Sequence, residues 1–514
     1  MFEDRRFLLA VGLAYTVLTF AVAGALDPFW RNNWDVQIFV GAGRSFFDGG
    51  SVFDLYARSR AQFYWPYPYP PLYAMILAPF VWLHQLWPVL PEDLLVRVPV
   101  VLADLGMAAL LYALLRRVGR TEARVAALVW LMNPVLFYQT AVQAHQESVW
   151  LVPVVAAYAW VARQGRERPW IPSLLLVLAV ALKQSAALYL IPFGVFLLLE
   201  SGRWRNVTIL GGMFVVVFGG LALPFHLYSG DFFQMVFVEV PNMPVQTQSW
   251  VVWLLAMKGY LIEQTVSTIV LLRYQAAITL LLATGLSFVM VRRRQPWYEV
   301  GLLITVLFFL TSKKVMAYHY PMLLPFLLLT YVPRRRWKAL GISLLWVSWI
   351  VVSPYYAPWA QPEHLPWYAA LGTLNSLFFT ALAWDVWTSG RWFGRRWLKG
   401  GDLAYPASLA LLLTSGLVVA SLLHKLSAWP VAQKQRPLLV GGLLMATLLL
   451  MLLGYQVSWP ALRDRLFGNQ RTVGLGWGQR AAVAIFFSPL FFTWFTMTKE
   501  VTRLIERGFR VWGL

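Results

Sequence analysis

Apolar runs of about 20 residues, the length a helix needs to cross the hydrocarbon core of a bilayer, recur along almost the whole chain. The segments of about 10 alternating residues that mark a membrane barrel are absent. In lipid every backbone N–H and C=O must be satisfied inside the element, so the fold class expected is an all-α polytopic membrane protein. The pattern predicts spans over 7–26, 94–115, 122–142, 147–163, 170–182, 185–200, 206–224, 267–291, 297–312, 315–332, 338–354, 366–388, 404–424, 437–457 and 480–498. That is about 14 transmembrane helices with the last counted loosely. The apolar stretch Leu72 to Leu90 is set apart because Pro79 and Pro88 interrupt it, and it is expected to lie along the interface.

Composition agrees with a bilayer as solvent: 59% of the 514 residues are hydrophobic and 13% charged. The net charge of +20 suggests nucleic acid only until the Lys and Arg residues are placed. They concentrate in alternate short segments, at 5–6, 116–124, 163–168, 203–205, 292–294, 334–338, 391–399 and 463–480, as the positive-inside rule requires of cytoplasmic loops. The N-terminus is then inside, and residues 7–26 read as a first span because no small-residue cleavage pattern precedes Asp27-Pro28. With no cysteine, disulfides are excluded. The 27 Trp residues fall often near span ends, where interfacial anchoring explains them.

This orientation gives the outer face two long loops, 27–93 and 225–264, and long loops in compact proteins usually carry function. Asp231, Glu239 and Gln246 make the second a candidate gate. The first opens on Asn33-Trp34-Asp35 and closes on Tyr67-Pro68-Tyr69-Pro70-Pro71-Leu72, where prolines fix the backbone into a rigid platform beside which Asp35 can be held. Asp48 and Asp54 are rival carboxylates that read as turn or cap residues, and a lone Asp just outside a span is ordinarily one of these too.

Three further polar clusters fall on the same outer side: Gln143-Ala144-His145-Gln146-Glu147-Ser148, Lys183-Gln184-Ser185, and Ser312-Lys313-Lys314 with Tyr318-His319-Tyr320. Ionisable groups at membrane depth are expensive and functional by default, although pairing for helix packing is the plainer explanation of any single one. Lys313-Lys314 also fits an interfacial anchor whose ammonium groups reach the headgroups. Arg97 and Asp104 lie seven residues apart, on one helix face, and Asp104 reads as structural. The six histidines show no metal-ligand spacing and no Asp-x-Asp pair occurs, so neither metal nor cofactor is expected. No phosphate-binding glycine loop or dinucleotide fingerprint points to ATP or a nucleotide sugar.

In this order, the Asp35 loop, Tyr69-Pro70-Pro71-Leu72, Asn133-Pro134, His145-Gln146-Glu147, Lys183-Gln184 and His319 followed by Leu323-Leu324-Pro325 resemble the GT-C superfamily of membrane glycosyltransferases. The likeness is to its bacterial polyprenol-phosphate-mannose-dependent enzymes, the GPI mannosyltransferases and the dolichyl-phosphate-glucose-dependent glucosyltransferases. It covers about the first two thirds of the chain, and implies a GT-C-like helical bundle whose long first extracytoplasmic loop carries interfacial helices. Domains are expected as a catalytic transmembrane module over 1–335 and variable helices over 336–514. The resemblance implies that Asp35 is the general base on an acceptor hydroxyl. It assigns Lys183, Gln184, His319, Lys314 and Arg97 to the donor's phosphate and sugar, and His145, Gln146, Glu147, Tyr67 and Tyr69 to orienting sugar or acceptor. One departure is Pro68, where the glucosyltransferases carry an acidic residue.

The function expected is transfer of a hexose, mannose or glucose, from a polyprenyl- or dolichyl-phosphate carrier to a glycan, lipid or protein acceptor. It takes place on the extracytoplasmic face of a bacterial or archaeal plasma membrane. The alternative is a lipid or solute transporter or flippase. Transporters gather their ionisable groups near the midplane between matching halves, whereas these gather at one face and no halves match.

Overall fold

A computed structural model describes residues 2–30, 34–62, 66–165, 167–199, 203–239, 247, 249–257, 269–352 and 365–388. Every regular element among them is helical. The chain opens with α1 (Phe2–Trp30). The first predicted outer loop then folds as α2 (Trp34–Arg44), α3 (Leu55–Gln62) and α4 (Pro71–Leu86). A short α5 (Glu92–Leu95) leads into α6 (Val98–Leu115), followed by α7 (Arg120–Leu131) and α8 (Pro134–Phe137). Next come α9 (Glu147–Gln164), α10 (Trp170–Leu182), α11 (Ala187–Leu199), α12 (Arg203–Met213), α13 (Gly220–Ser229) and α14 (Asp231–Phe233). The remainder is α15 (Val252–Ala256), α16 (Val270–Arg273), α17 (Gln275–Arg292), α18 (Trp297–Thr311), α19 (Leu324–Tyr331), α20 (Trp337–Val352) and α21 (Leu365–Trp387).

Four stretches among the described residues are long and apolar enough to cross a membrane: Glu92–Leu115, Trp204–Ser229, Gln275–Arg292 and Ala369–Trp387. Several predicted spans differ from the helices found. The span predicted over 122–142 is broken at Asn133-Pro134, because proline supplies no amide and the Asn133 side chain instead accepts a hydrogen bond from the Val135 amide at 2.9 Å. The span predicted over 315–332 begins as a 3₁₀ turn, Ala317–Leu323, that carries Pro321, and only then becomes α19. The span predicted over 267–291 starts late, α17 opening at Gln275. Pro79 does not interrupt its apolar stretch, since α4 runs through it. The predicted spans 404–424, 437–457 and 480–498 lie outside the described residues.

The segment predicted to be outer is packed, not loose. Tyr73, Ala74, Leu77 and Val81 form the buried face of α4, and α2 lies against it. The approach is close enough that a Cβ on Gly43 would stand 2.7 Å from Val81 Cγ2, so only glycine fits there. Arg44 at the end of α2 grips Glu92 of α5, its Nε donating at 2.8 Å. Arg60 of α3 reaches the second outer segment, contacting Asp231 at 3.6 Å and Glu239 at 2.7 Å. Two of the three residues read as a gate are thus tied to the first segment, while Gln246 lies outside the described residues.

Acid–arginine pairs gather at the end of the bundle opposite the polar clusters. Asp4 receives Arg120 at 2.5 Å and Arg124 at 2.9 Å. Three consecutive arginines each take an acid from a different helix: Arg334 pairs with Glu299 of α18, Arg335 with Glu122 of α7, and Arg336 with Asp385 of α21. Glu299 opens α18 and Ser312 closes it, which separates the two ends by about 20 Å at 1.5 Å per residue. The basic segments 116–124 and 334–338, predicted to share one side, are brought together here.

Candidate functional site

The polar clusters read from the sequence converge around one carboxylate. Glu147 is fully buried at the first residue of α9. Its Oε1 receives the ammonium of Lys183, stands 3.4 Å from His145 Nδ1 and 4.0 Å from His319 Nε2. Its Oε2 accepts from the Trp150 indole at 2.6 Å. Because α9 starts at Glu147, Trp150 sits one turn further on the same face, where an i, i+3 pair meets.

Helix breaks deliver the other members. Lys183 terminates α10 in extended conformation, and its amide still bonds back to Ala179. His145 follows a π turn, Tyr138–Val142, and Ala144 at φ 51°, a left-handed conformation an alanine rarely adopts. Gln139 holds that strained corner from both sides: its carbonyl accepts from the His145 amide at 3.1 Å and its side-chain amide donates to the His145 carbonyl at 2.9 Å. His319 lies in the 3₁₀ turn before α19, where its Nδ1 accepts from the Met316 amide at 2.9 Å. A neutral His319 therefore carries its proton on Nε2, the nitrogen facing Glu147.

Aromatic rings from the first outer segment close the site. Tyr69 OH and His145 Nε2 share a hydrogen bond of 3.1 Å, and His145 Nδ1 stands 3.4 Å from the carboxylate. Tyr318 stacks on the other side of His145 with centroids 3.6 Å apart. Lys183 Nζ stands over both rings, 5.4 Å from Tyr69 and 5.3 Å from Tyr318, within cation–π range. Gln184 donates to the Pro68 carbonyl at 3.0 Å, fastening the proline platform to the cation-bearing corner. Tyr67 is buried within that platform, its hydroxyl donating to the Pro70 carbonyl at 3.2 Å.

Asp35 is half-buried in the first turn of α2, where a negative side chain also complements the helix dipole. Phe39, one turn on and on the same face, packs against His145, Tyr69 and Tyr73 with centroids 5.8, 6.0 and 5.3 Å away. Through Phe39, α2 brings Asp35 to the border of this site. Its rivals are turn residues, as expected. Asp48 is exposed beside Gly49-Gly50, and Asp54 ends the Val52–Asp54 turn capped by Ser51.

Arg97 is buried, donating through Nε to the Ala141 carbonyl at 2.9 Å and standing 3.7 Å from Asp93, so it braces the outer segment against the π turn. Lys314 is half-buried at the rim, with its amide and carbonyl bonded to Ser312 Oγ at 3.2 and 3.1 Å. Gln146 is buried beside Glu147, and neither end of its amide has a hydrogen-bond partner among the described residues. Asp104, read as structural, accepts from Tyr15 at 2.5 Å and Thr140 at 2.7 Å, and so anchors α1 to the π turn.

Trp150, Phe39, Tyr318 and Gln139 are contributors that the sequence reading did not assign. Trp150 had a legible signal in its i+3 spacing from Glu147, Phe39 in its i+4 spacing from Asp35, and Tyr318 in its place beside His319.

Residues 49–200 match the family model described as alpha-(1->6)-mannopyranosyltransferase, N-terminal domain. The match supports a glycosyltransferase of the mannosyltransferase kind. It spans well under half of the chain, yet contains the tyrosine-proline platform, His145, Gln146, Glu147, Lys183 and Gln184, while Asp35, Lys314 and His319 lie outside it. No curated protein matches the chain.

Proposed function

We propose that this protein is an integral-membrane GT-C-type mannosyltransferase that takes its sugar from a polyprenyl-phosphate carrier and delivers it to an extracytoplasmic glycan, lipid or protein acceptor. The observation that carries the reading is the coincidence of two independent ones. The mannosyltransferase match covers the segment whose Glu147, Lys183 and His145 pack into one buried cluster. Glucose is the alternative sugar.

In the proposed reaction Asp35 removes the acceptor hydroxyl proton as the oxygen attacks the anomeric carbon, the bond from that carbon to the carrier's phosphate oxygen breaks, and the bonding electrons leave with the phosphate. One displacement inverts the anomeric centre and needs one carboxylate base with no second carboxylate nucleophile. The charge that develops on the leaving phosphate meets Lys183 and His319, with Lys314 at the rim. Such fixed cations and N–H donors in a water-poor site are the residues' equivalent of a metal clamp, so the reaction is proposed to need no metal ion.

The test is transfer of labelled sugar from synthetic short-chain polyprenyl-phosphate-mannose and -glucose to membrane-extracted acceptors, with chelator throughout. Transfer from the mannosyl donor supports the reading. Its absence with either donor, together with lipid movement in liposomes, supports a flippase instead.

A further inference from the structure

The resemblance gives Glu147 to sugar or acceptor hydroxyls, but its carboxylate is fully buried and turned to donors of the protein itself. Oε2 accepts from the Trp150 indole at 2.6 Å and Oε1 from the Lys183 ammonium. The three nitrogen-bearing side chains on Oε1 come from three separate helix breaks: His145 ahead of α9, Lys183 between α10 and α11, and His319 in the 3₁₀ turn before α19. The Tyr318 ring also touches all three, and Glu147 is the carboxylate on which their nitrogens converge.

We propose that Glu147 is a positioning residue, whose carboxylate gathers Lys183, His145 and His319 into the single face that receives the carrier's phosphate and takes no part in handling the acceptor hydroxyl. This rests on the lipid-phosphate reading above. The arrangement has a cost that identifies it. In the resting site the carboxylate neutralises Lys183, and an arriving phosphate must share that ammonium with an anion already in place. Glu147 therefore opposes ground-state binding of phosphate while aligning the groups that stabilise the leaving phosphate. A residue that merely held helices together would not divide its effect between binding and turnover in this way. Lys183 is also held by the rings of Tyr69 and Tyr318, so loss of the carboxylate releases its direction without removing it from the site.

The experiment uses the full-length purified protein and two readouts: equilibrium binding of a short-chain isoprenyl phosphate carrying no sugar, and sugar transfer from the corresponding mannosyl donor. Wild type is compared with Glu147→Gln, Lys183→Gln and the double variant, an uncharged near-isosteric pair that folds where either single variant leaves an unpaired buried charge. Expected for Glu147→Gln is phosphate binding as tight as wild type or tighter, with transfer slowed about 30-fold, the low end for breaking a buried charge pair. Lys183→Gln is expected to bind about 30-fold more weakly. Removing the stranded carboxylate in the double variant is expected to recover at least about threefold of that affinity.

Wild-type turnover by Glu147→Gln, or a double variant that binds no better than Lys183→Gln, overturns the proposal. So does a wild type that fails to bind isoprenyl phosphate at all. Wild type that binds the phosphate with the expected variant pattern, but transfers no sugar, supports the phosphate-receiving role and sinks the transferase reading.

Discussion

Trp150 and Glu147 are joined by an indole-to-carboxylate hydrogen bond of 2.6 Å within the first turn of α9, both side chains fully buried. This contact pins the oxygen of Glu147 that Lys183 does not use. Replacing Trp150 by Phe keeps a large apolar ring but strips the donor from a buried acceptor, which costs about 1–3 kcal/mol. Thermal unfolding in detergent should show a loss of that size. A stability equal to wild type would mean that the indole proton does not hold the carboxylate.

The arginine triplet at the opposite end offers a contrast within three adjacent residues. Asp385 is fully buried, 2.9 Å from Arg336 and accepting from Tyr331 at 3.0 Å. Arg336→Ala takes the paired cation from that buried carboxylate and should cost about 3–5 kcal/mol. The Arg335 side chain is 71% exposed where it meets Glu122, so Arg335→Ala should cost less than about 1 kcal/mol. Parallel melts decide: equal losses would contradict the burial argument.

At the end of the bundle that the basic segments predict to be cytoplasmic, burial pushes the Asp4 carboxyl up. Hydrogen bonds from Arg120 and Arg124 outweigh it and hold the group down at about 2, against an ordinary 3.8. A carboxylate whose folded pKa lies below its unfolded one contributes stability in full above the unfolded value and loses it as pH falls through the folded one. Wild type should therefore melt above Asp4→Asn at pH 6. That gap should narrow between pH 4 and pH 2, and a gap constant down to pH 2 would show that the ionised form is not what α1 contributes.

The all-helical class and the partners of the site were legible because each rests on a short-range rule. Apolar run length gives helices in lipid, and Lys183, His145 and Glu147 each stand where a run stops. Asn133-Pro134 and Pro321 were harder. Hydropathy continues through both, but the missing proline amides turn one predicted span into two pieces and the start of another into a 3₁₀ turn. The role of Glu147 was not legible at all. Sequence order places His145 and Glu147 two residues apart, but the convergence of Lys183 and His319 on the same oxygen is a tertiary fact. Arg97, a buried cation near the suspected phosphate site, contacts Asp93 and the Ala141 carbonyl, which its place in the sequence did not announce.

The central claim is that Asp35 activates an acceptor hydroxyl against a sugar held on a lipid phosphate. Its most direct test is single-turnover transfer from polyprenyl-phosphate-mannose by wild type and by Asp35→Asn, on protein shown to be folded and to bind isoprenyl phosphate equally well. General-base removal predicts a rate loss of about 10²–10⁴-fold with donor binding retained. Transfer by Asp35→Asn at close to the wild-type rate would contradict the account and move the base to another carboxylate of the outer segment.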